Sequence, residues 1–149
     1  TLIDDQLYLR AKERIGSVFL AMLEMRSVLR DNLESIADGK PIKEASINYL
    51  EQKHKKAPFT YTFIQNKLTP VPLGEAEDAL LSVIAFDTLN LIEADKLTVL
   101  KHCSNPECVL LFIDESGRRK WCSMKICGNR KKVENFQRRK ANKSSVSNN

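Results

Sequence analysis

The chain's four cysteines fall in two pairs of identical spacing, Cys103-Ser104-Asn105-Pro106-Glu107-Cys108 and Cys122-Ser123-Met124-Lys125-Ile126-Cys127, with thirteen residues between them. No other feature constrains the fold as tightly. Each pair can offer two thiols from one tight turn, and Asn105-Pro106 favours such a turn in the first pair. A tetrahedral Zn²⁺ asks for four ligands converging on one point, with thiolates at about 2.3 Å. Cys103, Cys108, Cys122 and Cys127 are therefore read as ligands of one Zn²⁺. Two disulfides are the competing reading, and they require an oxidising compartment. Four cysteines leave no coordination position open for water, so the expected zinc is structural. His102 adjoins Cys103 and is read as a neighbour of the site. No histidine occurs after it, which argues against a metal-dependent nuclease, and the chain is not expected to be an enzyme.

The segment between the pairs suggests a β-hairpin. Val109-Leu110-Leu111-Phe112-Ile113 reads as a strand, Asp114-Glu115-Ser116-Gly117 as a turn, and Arg118-Arg119-Lys120-Trp121 as the returning arm. Trp121, beside a ligand, is expected to pack under the hairpin. Ser123 is a candidate N-cap for a helix from Cys127 to Lys140 that turns Val133 and Phe136 inward. The positive end of that helix would favour thiolate at Cys122 and Cys127. Knuckle, hairpin and ligand-bearing helix together make a treble-clef-like arrangement.

Charge separates this region from the rest. The whole chain carries +5. Residues 101–149 hold 12 basic and 4 acidic side chains, a net of +8, whereas residues 1–100 hold 12 and 15, a net of −3. Zn²⁺ with four thiolates contributes −2, which leaves about +6 on the finger region. Arg118, Arg119 and Lys120 would lie on the hairpin arm, Lys125 between the second pair of cysteines, and Arg130, Lys131, Lys132, Arg138, Arg139 and Lys140 on the helix. Such a surface can neutralise phosphates. Asn129 and Arg130 adjoin the site, where Asn can read a base or cap a turn and Arg can pair a phosphate. The plain alternative for the run is a solvated helix end. Residues 141–149 are polar and expected to be disordered.

In residues 1–100, apolar side chains recur every three or four positions from Ile3 to Ile36, the stripe of one long amphipathic helix. Asp38-Gly39-Lys40-Pro41 stops it. A core helix is the plain reading and a self-associating coiled coil the other. A second helix is expected from Lys43 to Lys56, burying Ala45, Ile47, Leu50 and Tyr49. Phe59 to Ile64 alternates as a strand, Gln65-Asn66-Lys67 turns, and Pro70 and Pro72 limit the next strand to an edge. A third helix follows from Gly74 to Ala94, with Glu75, Glu77 and Asp78 complementing its dipole. His54 is read as a solvated helix-end residue. Hydrophobic residues at 42% support a real core, and no apolar run approaches the roughly 20 residues of a membrane span. No export signal is visible, which points to the cytoplasm, and Thr1 suggests that an upstream segment is missing. The fold class expected is mainly α (α+β). A helical domain over 1–100 has one hairpin near 59–72, and a four-cysteine finger follows over 101–140.

Trp121-Cys122-Ser123-Met124-Lys125-Ile126-Cys127-Gly128-Asn129-Arg130-Lys131-Lys132-Val133 closely resembles the signature of the CGNR zinc-finger family. Cys103 to Cys108 and Leu111-Phe112-Ile113-Asp114 are similar to that family as well. In such proteins the finger follows a helical ABATE domain, and residues 1–100 resemble its later part in their helix–hairpin–helix order. The resemblance implies a bacterial, stress-related transcription regulator whose finger binds DNA. DNA is thus the expected partner, with RNA sharing the electrostatics and homodimerisation open to the helical domain. The alternative of another class is a structural zinc module that docks a protein.

Overall fold

A computed structural model of the chain describes the backbone of residues 5–146 and the side chains of residues 5–140. The chain divides into two compact units, Thr1–Leu97 and Thr98–Asn149.

In the first unit, the stripe predicted for one helix is carried by two, α1 (Asp5–Glu13) and α2 (Ile15–Ala37); Ile3 lies outside the described residues. The break falls at Arg14, at φ −113° and ψ 30°. Arginine is a good helix former, and the weak one near the break is Gly16, two residues on. The Arg14 guanidinium pairs with Glu75, and with Glu77 at 3.0 Å. The break brings Leu7 and Val18 into one cluster with Ala57, Ala76 and Ala79. At its far end α2 stops as the sequence predicts. Gly39 takes φ +83°, its N–H donates to Ile36 O at 2.8 Å, and Lys40 N–H donates to Ser35 O at 3.1 Å. Those two bonds satisfy carbonyls that the helix end would leave open.

Next come α3 (Glu44–Lys56), the antiparallel strands β1 (Phe59–Ile64) and β2 (Lys67–Pro72), and α4 (Ala76–Glu93). Leu50 of α3 is buried, Ile47 and Tyr49 are half-buried, and Ala45, expected inside, is exposed. The hairpin register runs from Phe59 opposite Pro72 to Ile64 opposite Lys67. Gln65 and Asn66 between them both take positive φ, 48° and 60°, as a tight two-residue turn requires. α4 packs against α1, α2 and α3, and Leu81 and Ala85 join Met25 and Leu50 in a second buried cluster.

His54 is not the solvated residue expected. Its ring lies 4.9 Å from that of Phe59 and 5.5 Å from that of Phe86. Ser82, fully buried, donates its only hydroxyl proton to Ala57 O at 2.7 Å. The 2.9 Å contact between His54 Nδ1 and Ser82 Oγ must then run from Nδ1–H to the oxygen. His54 therefore ties α3 to α4.

The second unit contains β3 (Leu100–His102), β4 (Leu111–Ile113), a π-turn over Met124–Gly128 and α5 (Asn129–Val146). Here the predicted hairpin is corrected. β4 pairs antiparallel with β3, Leu100 opposite Ile113 and His102 opposite Leu111, so the first cysteine pair sits in the loop of the hairpin. Arg118 to Trp121 forms no strand. The helix also opens differently, because Gly128 N–H donates to Ser123 O at 3.1 Å in a π-turn and the Ser123 side chain makes no capping bond. The backbone of α5 continues to Val146, so residues 141–146 extend the helix, while residues 147–149 lie outside the described residues. The architecture is thus mainly helical with two small antiparallel hairpins. No helix among the described residues is long and apolar enough to cross a membrane.

Candidate metal centre

The hairpin brings the two cysteine pairs together. Cys103 N–H donates to Leu110 O at 3.1 Å, extending the β3–β4 ladder into the first knuckle. Cys108 N–H closes that knuckle on Asn105 O at 2.9 Å. Ser104 N–H donates to Lys120 O at 2.9 Å and draws in the segment before Cys122. The second pair spans the π-turn, whose wider helical turn places Cys127 beside Cys122.

The ligand atoms of Cys103, Cys108, Cys122 and Cys127 all lie within 4.8 Å of one another. A tetrahedron with zinc–sulfur bonds of about 2.3 Å has edges of about 3.8 Å. Cys108 and Cys122 sulfurs are 3.7 Å apart, as are those of Cys122 and Cys127. No pair is joined as a disulfide. The four cysteines are placed to hold one zinc ion. With four thiolates the coordination is closed, and zinc would supply a covalent-strength crosslink between knuckle and helix.

Electrostatics fit a cation as well. Burial opposes ionisation of Cys103, yet the N–H groups of Cys122 and Asn105 outweigh it and bring that thiol down to about 7. Cys122 N–H reaches the Cys103 sulfur at 3.4 Å. Burial and the surrounding thiols push Cys122 up to about 12. The amide of Asn105 favours a thiolate at Cys127, 3.6 Å away, but burial and Cys108 leave it raised. Whatever the helix end contributes at Cys122 and Cys127, crowded thiols in a dry site resist ionising together. One ionises readily, and a cation is what allows the others to follow.

Two polar residues that the sequence reading assigned only to turns hold the finger. Asn105 Oδ1 accepts from Glu107 N–H at 3.3 Å while its amide meets the Cys127 sulfur, so it links both knuckles. Asp114 is 1% exposed. Its carboxylate accepts from Ser116 Oγ at 2.7 Å, Lys101 Nζ at 3.0 Å and Arg119 N–H at 3.0 Å. These bonds, Ser116's foremost, lower its pKa to about 2. An Asp-x-Ser-Gly turn beside a strand was the available signal. Gly117, at φ +67°, completes that turn. Gly128 is buried for a different reason: a Cβ there would stand 2.6 Å from Met124 Sδ and 3.3 Å from Trp121 Cδ1. Trp121 is half-buried.

The basic residues divide into two sets. Arg119 is turned into the finger, donating to Cys122 O at 2.8 Å and Ile113 O at 3.4 Å over the Phe112 ring, 4.7 Å away. Lys131 is paired with Glu134 at 2.8 Å. Arg118, Lys120, Lys125, Arg130, Lys132, Arg138 and Arg139 are exposed, and no carboxylate among the described residues pairs with them. Lys140 is exposed near the end of the same helix, and Asn129 opens it with a 3.4 Å bond to Lys125 O. Val133 and Phe136, predicted to face inward, are 55% and 69% exposed. Periodicity placed them on one face but could not say which way that face points.

No curated protein and no solved structure matches the chain significantly. The finger does match a known family: residues 100–140, which hold all four cysteines and the first turns of α5, match the CGNR zinc finger.

Proposed function

We propose that the second unit is a zinc-stabilised nucleic-acid-binding finger, that duplex DNA is its target, and that the chain acts in transcription regulation. The observation that carries this reading is the set of exposed cations without carboxylate partners around a closed four-cysteine site. Arg118 and Lys120 lie on the loop, and Arg130, Lys132, Arg138 and Arg139 on α5. Holding so many like charges together costs stability unless a polyanion neutralises them. A zinc with four thiolates offers no position for a substrate or water, which supports a binding module over an enzyme. The order α3, hairpin, α4 supports an ABATE-type first domain, with homodimerisation as its proposed role. The resemblance extends this to a bacterial, cytoplasmic regulator of stress responses.

A second reading is favoured by the exposed apolar side chains Val109, Leu110, Met124 and Ile126. On that reading the finger docks a protein and its cations meet an acidic partner. A titration of zinc-loaded chain with random-sequence duplex at several salt concentrations separates the two. Nucleic-acid binding predicts a linear fall of log affinity with log salt, and each lost phosphate contact lowers the slope by about 0.9. Arg138→Ala with Arg139→Ala should lower it by about 1.8. No duplex binding even at low salt would refute the first reading.

A further inference from the structure

On α5, Asn129, Val133, Phe136 and Lys140 follow one another at steps of four, three and four residues, so they stand in line along one exposed face. Helical spacing sets Lys132 and Arg139 along one flank of this line and Arg130 along the other. None of those three cations has a carboxylate partner among the described residues. An apolar patch built to meet a protein is depleted of charge at its centre. Here Val133 and Phe136, with Ile126 beside Asn129, are bordered by Lys132 and Arg139 on one side and by Arg130 on the other, where Glu134 is neutralised by Lys131, and a phosphate-walled groove complements such a border.

We infer that α5 lies in the major groove and that Val133 and Phe136 contact thymine methyl groups, giving the finger a preference for A·T-containing sites; the inference rests on the duplex-binding reading. An α-helix with its side chains is about 10–12 Å across, and the major groove is about 12 Å wide. With the line toward the base edges, the two flanks meet the two phosphate walls. The line from Asn129 to Lys140 rises about 16 Å, enough to cross about five base pairs. Each pair presents a distinct pattern in that groove. Apolar side chains suit only the thymine C5 methyl, and an asparagine amide pairs bidentately with adenine N6 and N7. Three of the four residues in the line thus select the same base pair. An open groove of about 580 Å³ whose lining includes Lys125, Ile126, Asn129, Arg130, Val133 and Glu134 adjoins the line and leaves it accessible; its one carboxylate, Glu134, is paired with Lys131.

Replacing thymine by deoxyuridine removes the methyl and keeps every charge and hydrogen-bonding group. Full-length zinc-loaded chain is titrated by fluorescence anisotropy with three duplexes of equal length: A·T-rich, the same sequence with deoxyuridine for thymine, and G·C-only. The expected order is A·T-rich tightest, with about three- to fivefold weakening per contacted methyl in the deoxyuridine duplex. Phe136→Ala should abolish most of that difference while leaving zinc content at one per chain. Its exposed side chain makes loss of fold an unexpected outcome, which circular dichroism checks. Equal affinity of the wild type for thymine and deoxyuridine duplexes, with salt-dependent binding intact, overturns the methyl contact and leaves DNA binding standing. No binding to any duplex overturns both.

Discussion

Arg119→Ala separates two roles for a side chain that sequence places in a phosphate-binding run and structure turns inward. Its guanidinium donates to the carbonyl of the ligand Cys122 at 2.8 Å and covers the Phe112 ring at 4.7 Å. A hydrogen bond from a charged donor contributes about 1.5–3 kcal/mol, and a cation–π contact at an exposed site adds about 0.5–1 kcal/mol. Arg119 is exposed, so solvent screening cuts the sum to about 1–2 kcal/mol. That energy raises the population of opened finger about 5- to 30-fold. Zinc release to a chromophoric chelator reads opening directly when opening is fast and capture is slow. The variant should release zinc about 5- to 30-fold faster while its duplex affinity keeps the wild-type salt slope. A slope lowered by about 0.9 with unchanged zinc release would make Arg119 a phosphate contact and refute this reasoning.

Other perturbations test the helical body. Glu77 is held below its ordinary 4.5 by its hydrogen bond from Ser17, with the Arg14 charge, 3.0 Å away, adding to the shift. A lowered folded pKa stabilises in full above the unfolded value and is lost as pH falls through the folded one. Glu77→Gln should therefore lower the Tm at pH 7, with the gap to wild type closing as the pH falls below the ordinary 4.5 and through the lowered folded value. An unchanged gap at acid pH would remove the ionic role. Replacing Gln65-Asn66 by Asn-Gly suits two positions at positive φ and should raise stability by about 0.5–1 kcal/mol in thermal melts. Leu50→Ala, at a site 2% exposed between Met25 and Leu81, should cost about 2–5 kcal/mol in urea unfolding and leave zinc content at one per chain.

Much of the fold was legible because the signals were local. Alternation in Phe59 to Ile64 specified a strand, Gly39 marked the end of α2, and the repeated cysteine spacing pointed to one convergent site. Several of the misses were decided by tertiary contacts that no local pattern encodes. At the break in the first helix, Arg14 pairs with Glu75 and Glu77 at the start of α4, 61 residues away in the case of Glu75. His54 reads as polar until Ser82, Phe59 and Phe86 surround it. Val109 to Ile113 carries a strand signal, but its partner is Leu100–His102, because the buried Asp114 draws Arg119 N–H into a turn that leaves no second arm. Val133 and Phe136 show the limit of periodicity most plainly. Their spacing defines a shared face, and only the packing of the finger shows that this face is outward.

The central claim is that zinc, held by four cysteines, presents the basic face of α5 to DNA. The most direct measurement is duplex affinity of the same chain with one zinc per molecule and after zinc is stripped by a chelator, at two salt concentrations. The account predicts salt-dependent binding by the zinc-loaded chain and its loss, with restoration on adding zinc back, once the metal is removed. Binding that is equal in the two states would contradict it.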